Sequence, residues 1–300
     1  MRQRDALLAT LRARGELWEP APGLVGLRGR PLALLRRIEG RIAALCAGET
    51  EDEWAVPAAL PLSTLERAGY FASFPHWLTV ASHLTDDPAV LERVATSTEP
   101  ARAAANAVVP ANVALPPAVC YHVYAALAGS TIPARCVVTA QSCCWRHEGS
   151  RLAPLERGWS FTMRELVCIG NEAECVAFHD RGIKLTRWLA TGLGLHASVE
   201  PAEDPFFAPT ARGRALLQRV KGLKHELRLP IGDGETTAAA SFNLHEQFFG
   251  TAFDIRLANG EPAHTACVAF GLERWLLATL LRDSGAESAD IDRRREEIVA

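Results

Sequence analysis

The sequence predicts an α+β fold in which helices pack around an antiparallel sheet. Three observations lead there. The elements run helices, hairpin, helix, helix, strands, helix, without the β-α-β alternation of a doubly wound parallel sheet. The apolar runs at 135–148 and 158–170 are joined by a charged loop, so they read as one antiparallel hairpin with a long tip. No G-x-G-x-x-G or G-x-x-x-x-G-K-[ST] string occurs, so a bound nucleotide would be held without a glycine-rich phosphate cradle.

Residues 3–16 read as a short amphipathic helix. Residues 31–48 read as a second, with Leu34, Leu35, Ile38, Ile42 and Leu45 on one face. The acidic string GETEDEW is expected to turn. Residues 62–80 start at a cap-like Ser63 or Thr64 and meet Pro75, which should end a helix or strand. Residues 116–132 read as a buried helix with Cys120 near its start. Beyond the hairpin, 171–194 read as a helix closed by glycine, and 197–204 as an edge strand. Residues 210–227 read as a helix with Leu216, Val220, Leu223 and Leu227 inward. Residues 236–255 supply further strand and loop. Residues 264–285 are a strand or turn entering a helix. One catalytic domain over 1–282 is expected, followed by a charged tail, 283–300.

The chain of 300 residues has ample core to bury: 48% of its residues are hydrophobic and 22% charged. A net charge of −3 and a pI of about 6.3 argue against a general nucleic-acid surface. No apolar run approaches the ~18 residues of a membrane span. Charges interrupt the apolar residues near the N-terminus, unlike a signal peptide. A cytoplasmic location is expected. The eight cysteines form no C-x-x-C pair and read as thiols rather than a disulfide framework. Most read as small core residues. Cys143 and Cys144 alternate along a strand, so at least one should be core.

The hairpin carries Arg146, Glu148, Arg157, Phe161 and Glu165. A guanidinium fork suits carboxylate or phosphate, and an aromatic on the neighbouring strand can stack on a base. A surface ion pair on an ordinary hairpin accounts for the same residues equally well. AFGLERW (269–275) adds Arg274 at a strand-to-helix junction beside Gly271, which permits close backbone approach.

The arrangement R-x-E, long loop, F-x-x-x-E, then G-L-E-R resembles motifs 2 and 3 of class II aminoacyl-tRNA synthetases. Their core is a mainly antiparallel sheet of about six strands flanked by helices. The resemblance implies that Arg146 contacts the α-phosphate and the substrate carboxylate. It implies that Glu148 meets the adenine edge, Phe161 stacks on adenine, and Arg157 and Arg274 reach the γ-phosphate. SFNLHEQFFG (241–250), DPFF (204–207) and YFASFP (70–75) extend the likeness. With them the chain resembles the amino acid:[carrier protein] ligases, relatives of the zinc-containing seryl-tRNA synthetases of methanogens, from about residue 20 to 282.

That resemblance implies a zinc ion held by Cys120, Glu165 and Cys267. Two thiolates and one carboxylate leave a fourth position open, as in a working zinc site. It would take the α-amino group of a small amino acid, glycine or alanine. Glu165, Ser241 and Asn243 are the substrate-pocket candidates. Mg²⁺ would accompany ATP, with Glu235, Glu246 and Asp254 as candidate ligands. The acceptor implied is the phosphopantetheine thiol of an acidic carrier protein. A docking face of Arg212, Arg219 and Lys221 on the 211–228 helix would suit it, although charged helix faces are usually just solvated. Residues 1–50 are too broken for a helical tRNA-binding arm and no anticodon-binding module follows motif 3, so tRNA is not the expected partner. A homodimer is expected, with the segment around Pro75 at its interface. The alternatives are a non-catalytic synthetase paralogue that binds an amino acid or partner, and a truncated seryl-tRNA synthetase. Lone histidines (147, 225, 245 and 264) are more often structural than ligands.

Overall fold

The computed structural model describes residues 2–50, 52–207, 218 and 220–299, with side chains as far as residue 285. Helix α1 (Gln3–Ala13) buries Leu8 and Leu11. A ribbon follows, β1 (Leu17–Ala21) and β2 (Leu24–Leu27). At its turn Gly23 has φ +74°, and a Cβ there would fall 2.7 Å from the Trp159 nitrogen. Only glycine permits that conformation and that approach. Helix α2 (Gly29–Ala47) buries Pro31, Leu34, Ile38, Ile42 and Cys46 at the expected helical spacing. Fully burying Ile38 or Ile42 contributes about 1.5–3 kcal/mol.

The acidic stretch expected to turn contains a strand, β3 (Glu53–Ala55). Next come β4 (Leu60–Pro61), α3 (Leu62–Arg67) and α4 (Tyr70–Ser73). Neither Ser63 nor Thr64 caps α3: Pro61 holds the cap position, and both lie inside the first turn. Pro75 ends α4 as expected and opens a single 3-10 turn through Trp77. Residues 80–114 form an arm of β5 (Val80–Leu84), α5 (Pro88–Thr96), α6 (Pro100–Ala105) and β6 (Val108–Ala114). Proline starts both helices, where its missing N–H costs nothing. Neither helix buries a residue, and Val80, Leu84, Leu91 and Val108 are exposed.

Helix α7 (Cys120–Ala126) is shorter than expected, and Gly129 at φ +74° turns the chain into β7 (Thr131–Ile132). The hairpin forms as expected: β8 (Cys136–Trp145) and β9 (Ser160–Gly170) pair from Cys136↔Ile169 to Trp145↔Ser160. A capping box of Asn171 and Glu174 starts α8 (Glu172–Gly192). Then follow β10 (Ser198–Pro201), β11 (Lys224–Pro230), β12 (Thr236–Glu246), α9 (Phe248–Phe253), β13 (Arg256–Leu257), β14 (His264–Gly271) and α10 (Leu272–Val299). The charged residues expected as a tail continue α10.

The main sheet has seven strands in the order β10-β11-β12-β14-β9-β8-β3. All neighbours are antiparallel except β3 and β8. The expected six become seven because β3 adds an edge. The helix expected over 210–227 does not reach its end: Lys224 and Leu227 belong to β11. Leu216 lies outside the described residues, and Val220, expected inward, is 74% exposed.

Successive side chains on a strand point to opposite faces. Leu166, Cys168, Ala240, Phe242, Val268 and Phe270 join residues of α2, α8 and α10 in the largest core. Glu165, Ser241, Asn243, Cys267 and Ala269 line a cleft on the other face. The indole of buried Trp275 donates to the Ala239 carbonyl at 2.9 Å, tying α10 to β12. Among the described residues, no helix is long and apolar enough to cross a membrane.

Candidate active site

The cleft has a volume of about 780 Å³. One wall is the hairpin. Arg146 follows β8, and its backbone N–H donates to the Trp159 carbonyl at 2.9 Å. Its Nε donates to the Pro117 carbonyl at 2.9 Å. The guanidinium carbon lies 5.7 Å from the Trp77 ring centre and 5.4 Å from that of Phe161. The fork is thus held by two rings and one carbonyl. Glu148 accepts from Arg157 at 2.8 Å and closes the loop at its base. Arg274, in the first turn of α10, donates from Nε to the Glu156 carbonyl (2.6 Å) and from Nη1 to that of Ala238 (2.7 Å).

Arg146, Arg157 and Arg274 therefore converge on one cavity. Burial, then the positive charges of Arg157 and Arg146, pull the Arg274 pKa below its ordinary value. A polyanion in the cleft would relieve that repulsion. Gly271 lines the cleft, but a Cβ there would meet no protein atom within 3.9 Å. The close approach expected of this glycine is not to the protein's own backbone.

Opposite the arginines, α7, β9 and β14 bring Cys120, Glu165 and Cys267 together. Their ligand atoms all lie within 4.8 Å of one another, and all three residues are buried. Glu165 accepts from the Val119 backbone N–H through Oε1 at 2.9 Å. Its Oε2 is buried with no hydrogen-bond partner. An isolated buried carboxylate oxygen is costly, and burial pushes the Glu165 pKa up to about 8. The thiols titrate together. Hydrogen bonding to Cys267, then burial, holds Cys120 up; the same bond holds Cys267 down, aided by His245 and Asn243. A buried thiol pair beside a carboxylate oxygen that lacks a hydrogen-bond partner suits a soft-to-borderline divalent cation such as Zn²⁺.

Ser241 and Asn243 stand beside this group: the Asn243 amide donates to Ser241 Oγ at 3.3 Å and to Cys267 Sγ at 3.4 Å. The other candidates fall elsewhere. None of Glu235, Glu246 and Asp254 lines the cleft. Glu235 pairs with Arg2, Glu246 with Lys221 and Asp254 with Arg256. The carboxylates in the cleft wall are instead Glu148, Glu156, Glu165, Asp204, Glu226 and Glu273. Glu273 accepts the Thr162 N–H at 2.9 Å, and burial raises its pKa. Its place next to Arg274 was a signal available in the sequence. Asp204, which opens the DPFF string, lines the cleft and pairs with Lys224 at 2.5 Å, a partner that sequence spacing did not indicate.

Of the proposed basic face, Arg212 and Arg219 lie outside the described residues, while Lys221 pairs with Glu246 at 2.7 Å. The Pro75 segment covers the site: Phe74 and Trp77 line the cleft, and the Trp77 carbonyl accepts from His147 N–H at 3.0 Å. Phe74 also stacks on Phe206, at 5.2 Å. Cys144 is buried and Cys143 exposed, as strand alternation requires.

No family model matches the chain. It is similar to amino acid--[acyl-carrier-protein] ligase 2 of Bradyrhizobium diazoefficiens, with 37% identity over 85% of this chain and 78% of that protein. Ligase 1 of the same organism is 35% identical over 82% of this chain and 77% of its own length. Among solved structures, an M. kandleri seryl-tRNA synthetase bound to A. aeolicus tRNASec matches with a TM-score of 0.80 and 21% identity. The match covers 92% of this chain and 56% of the synthetase. At that identity the likeness is one of fold, and the fold is the class II synthetase core that the motifs implied.

Proposed function

The chain belongs to the amino acid–[acyl-carrier-protein] ligases, and from that premise we propose that it activates glycine or alanine with ATP and passes it to a carrier-protein thiol. The observation that carries this reading is one cleft with a cationic end, Arg146, Arg157 and Arg274, and a Cys120–Glu165–Cys267 end.

Arg146 holds the substrate carboxylate against the α-phosphate. Phe161 offers its ring to the adenine, and Glu148 meets the adenine edge while anchoring Arg157. Arg157 and Arg274 take the terminal phosphates. A Zn²⁺ ion on Cys120, Glu165 and Cys267 would supply a Lewis acid for the amino group. The carboxylate oxygen then bonds to the α-phosphorus as the bond to pyrophosphate breaks. In the second half, the carrier thiol sulfur bonds to the carbonyl carbon, AMP departs with the electron pair, and the thiol proton passes to solvent. No protein nucleophile is required. The rate acceleration comes from positioning and charge neutralisation. Mg²⁺ with ATP belongs to the proposal, and the cleft-lining carboxylates, rather than Glu235, Glu246 or Asp254, are the groups placed to meet it. So does a homodimer in the cytoplasm. A carrier protein is preferred to tRNA on the relatives' names and the acidic overall charge.

Pyrophosphate exchange measured with each of the twenty amino acids is expected to respond to glycine or alanine and to fall with a zinc chelator. A response to larger residues only would remove the substrate assignment, and no response to any would remove the activation chemistry. The double variant Arg219→Glu/Lys221→Glu is expected to lower transfer to an acidic carrier protein at least ~10-fold, because like charge across an interface costs more than about 1.4 kcal/mol. Exchange should stay unchanged; equal loss of both activities rejects the docking face.

A further inference from the structure

We propose that Asn243, His245, Tyr124 and Thr265 form an outer layer of hydrogen-bond donors that fixes the Cys267 sulfur as a metal ligand. The inference rests on the zinc reading above.

Two of these groups meet the sulfur, and the other two hold the ring of the second. The Asn243 amide lies 3.4 Å from Cys267 Sγ, and His245 Nε2 lies 3.9 Å from it. The other ring nitrogen, Nδ1, lies 3.2 Å from Thr265 Oγ1 and 3.4 Å from the Tyr124 hydroxyl. A neutral imidazole has one donor and one acceptor nitrogen. Two hydroxyls that can donate stand at Nδ1, and a sulfur stands at Nε2. With Cys267 as a metal-bound thiolate, which has no proton to give, the tautomer with its proton on Nε2, aimed at the sulfur, is the one that satisfies both sides of the ring.

The backbone is shaped for this. Strands β12 and β14 pair regularly through Leu244↔Ala266, but the next pair is Glu246↔Thr265. His245 is the extra residue of a bulge, and Glu246 beside it has φ +51°. Bulges re-aim side chains. Here the bulge sets the imidazole edge-on against Phe249, with ring centres 4.9 Å apart. His245 is not itself a ligand in this arrangement, because it falls outside the group whose ligand atoms are mutually within 4.8 Å. N–H donors on a thiolate withdraw charge from sulfur and fix its direction, which sets how tightly and how acidically the metal is held.

The test uses purified full-length protein, zinc competition with a chromophoric chelator, and the optical spectrum after cobalt substitution. His245→Ala is expected to weaken zinc about 10–100-fold and to shift the sulfur-to-cobalt charge-transfer band. His245→Gln, which keeps an N–H donor, should recover most of both. The pair Tyr124→Phe/Thr265→Val removes the groups that orient the ring while leaving every sulfur contact, and should move both readouts in the same direction by less. It also decides the matter if His245→Ala fails to fold. Zinc affinity within twofold of the parent and an unmoved cobalt band in these variants overturn the proposal. A parent protein that binds neither metal stoichiometrically overturns the zinc reading first, so the two failures are distinguishable.

Discussion

Cys267→Ser is expected to strip the protein of zinc and to lower amino-acid-dependent exchange about 100-fold or more. Serine keeps the volume and the β14 ladder, in which Cys267 pairs with Val167 and Asn243. It lacks an acidic sulfur. A serine hydroxyl stays protonated at neutral pH and is a poor zinc ligand, so one of three ligand atoms is lost and only Cys120 and Glu165 remain. Without that hold on the amino group the substrate carboxylate drifts, and a misplacement of even 1 Å carries a penalty of the size given above. Elemental analysis and exchange should fall together while the far-ultraviolet circular dichroism holds. Full zinc content with parental turnover would remove the metal from the mechanism.

Arg146→Lys should cost about 100–1,000-fold in kcat for adenylate formation, the usual loss when one preorganised donor to developing charge is removed. Charge is preserved in this variant; the fork is not. Arg146 spends Nε on Pro117 and is steadied by Trp77 and Phe161, which leaves its terminal nitrogens to meet two oxygens at once. Lysine is a point charge on a mobile stem and loses the stacking as well. Because the interaction is strongest at the pentacoordinate phosphorus, kcat should fall more than KM for ATP rises. A change confined to KM would make Arg146 a binding residue only.

The hairpin and its charged residues were legible because they are local: R-x-E, a loop and F-x-x-x-E lie within one supersecondary unit. The Cys120–Glu165–Cys267 group was legible only through resemblance, since α7, β9 and β14 meet through sheet register and not through spacing. Strand β3 was missed because three residues in an acidic run carry no alternation, and their pairing with β8 is a tertiary decision. The helical spacing of Leu223 and Leu227 ran the expected helix too far, because Lys224 already starts β11. Lys224 is buried there and pairs with Asp204. Residues 80–114 gave no reading because neither helix of the arm buries a residue, so no buried helical face imposes a period on the sequence.

The first helix has a reach beyond its own packing. Arg4 pairs with Glu156, whose carbonyl also receives Arg274. Nearby, Gln3 N–H donates to Asp233 at 2.8 Å, and Gly23 O takes the Trp159 N–H at 2.7 Å. The loop that carries Glu156, Arg157 and Trp159 is thus splinted from outside by a segment more than a hundred residues away in the chain. A loop splinted in this way meets its nucleotide already in shape, whereas an unsplinted one binds more weakly in proportion to the time it spends out of shape. Sequence drift in the first thirty residues would then surface as a change in apparent ATP affinity, although none of α1 touches the cleft.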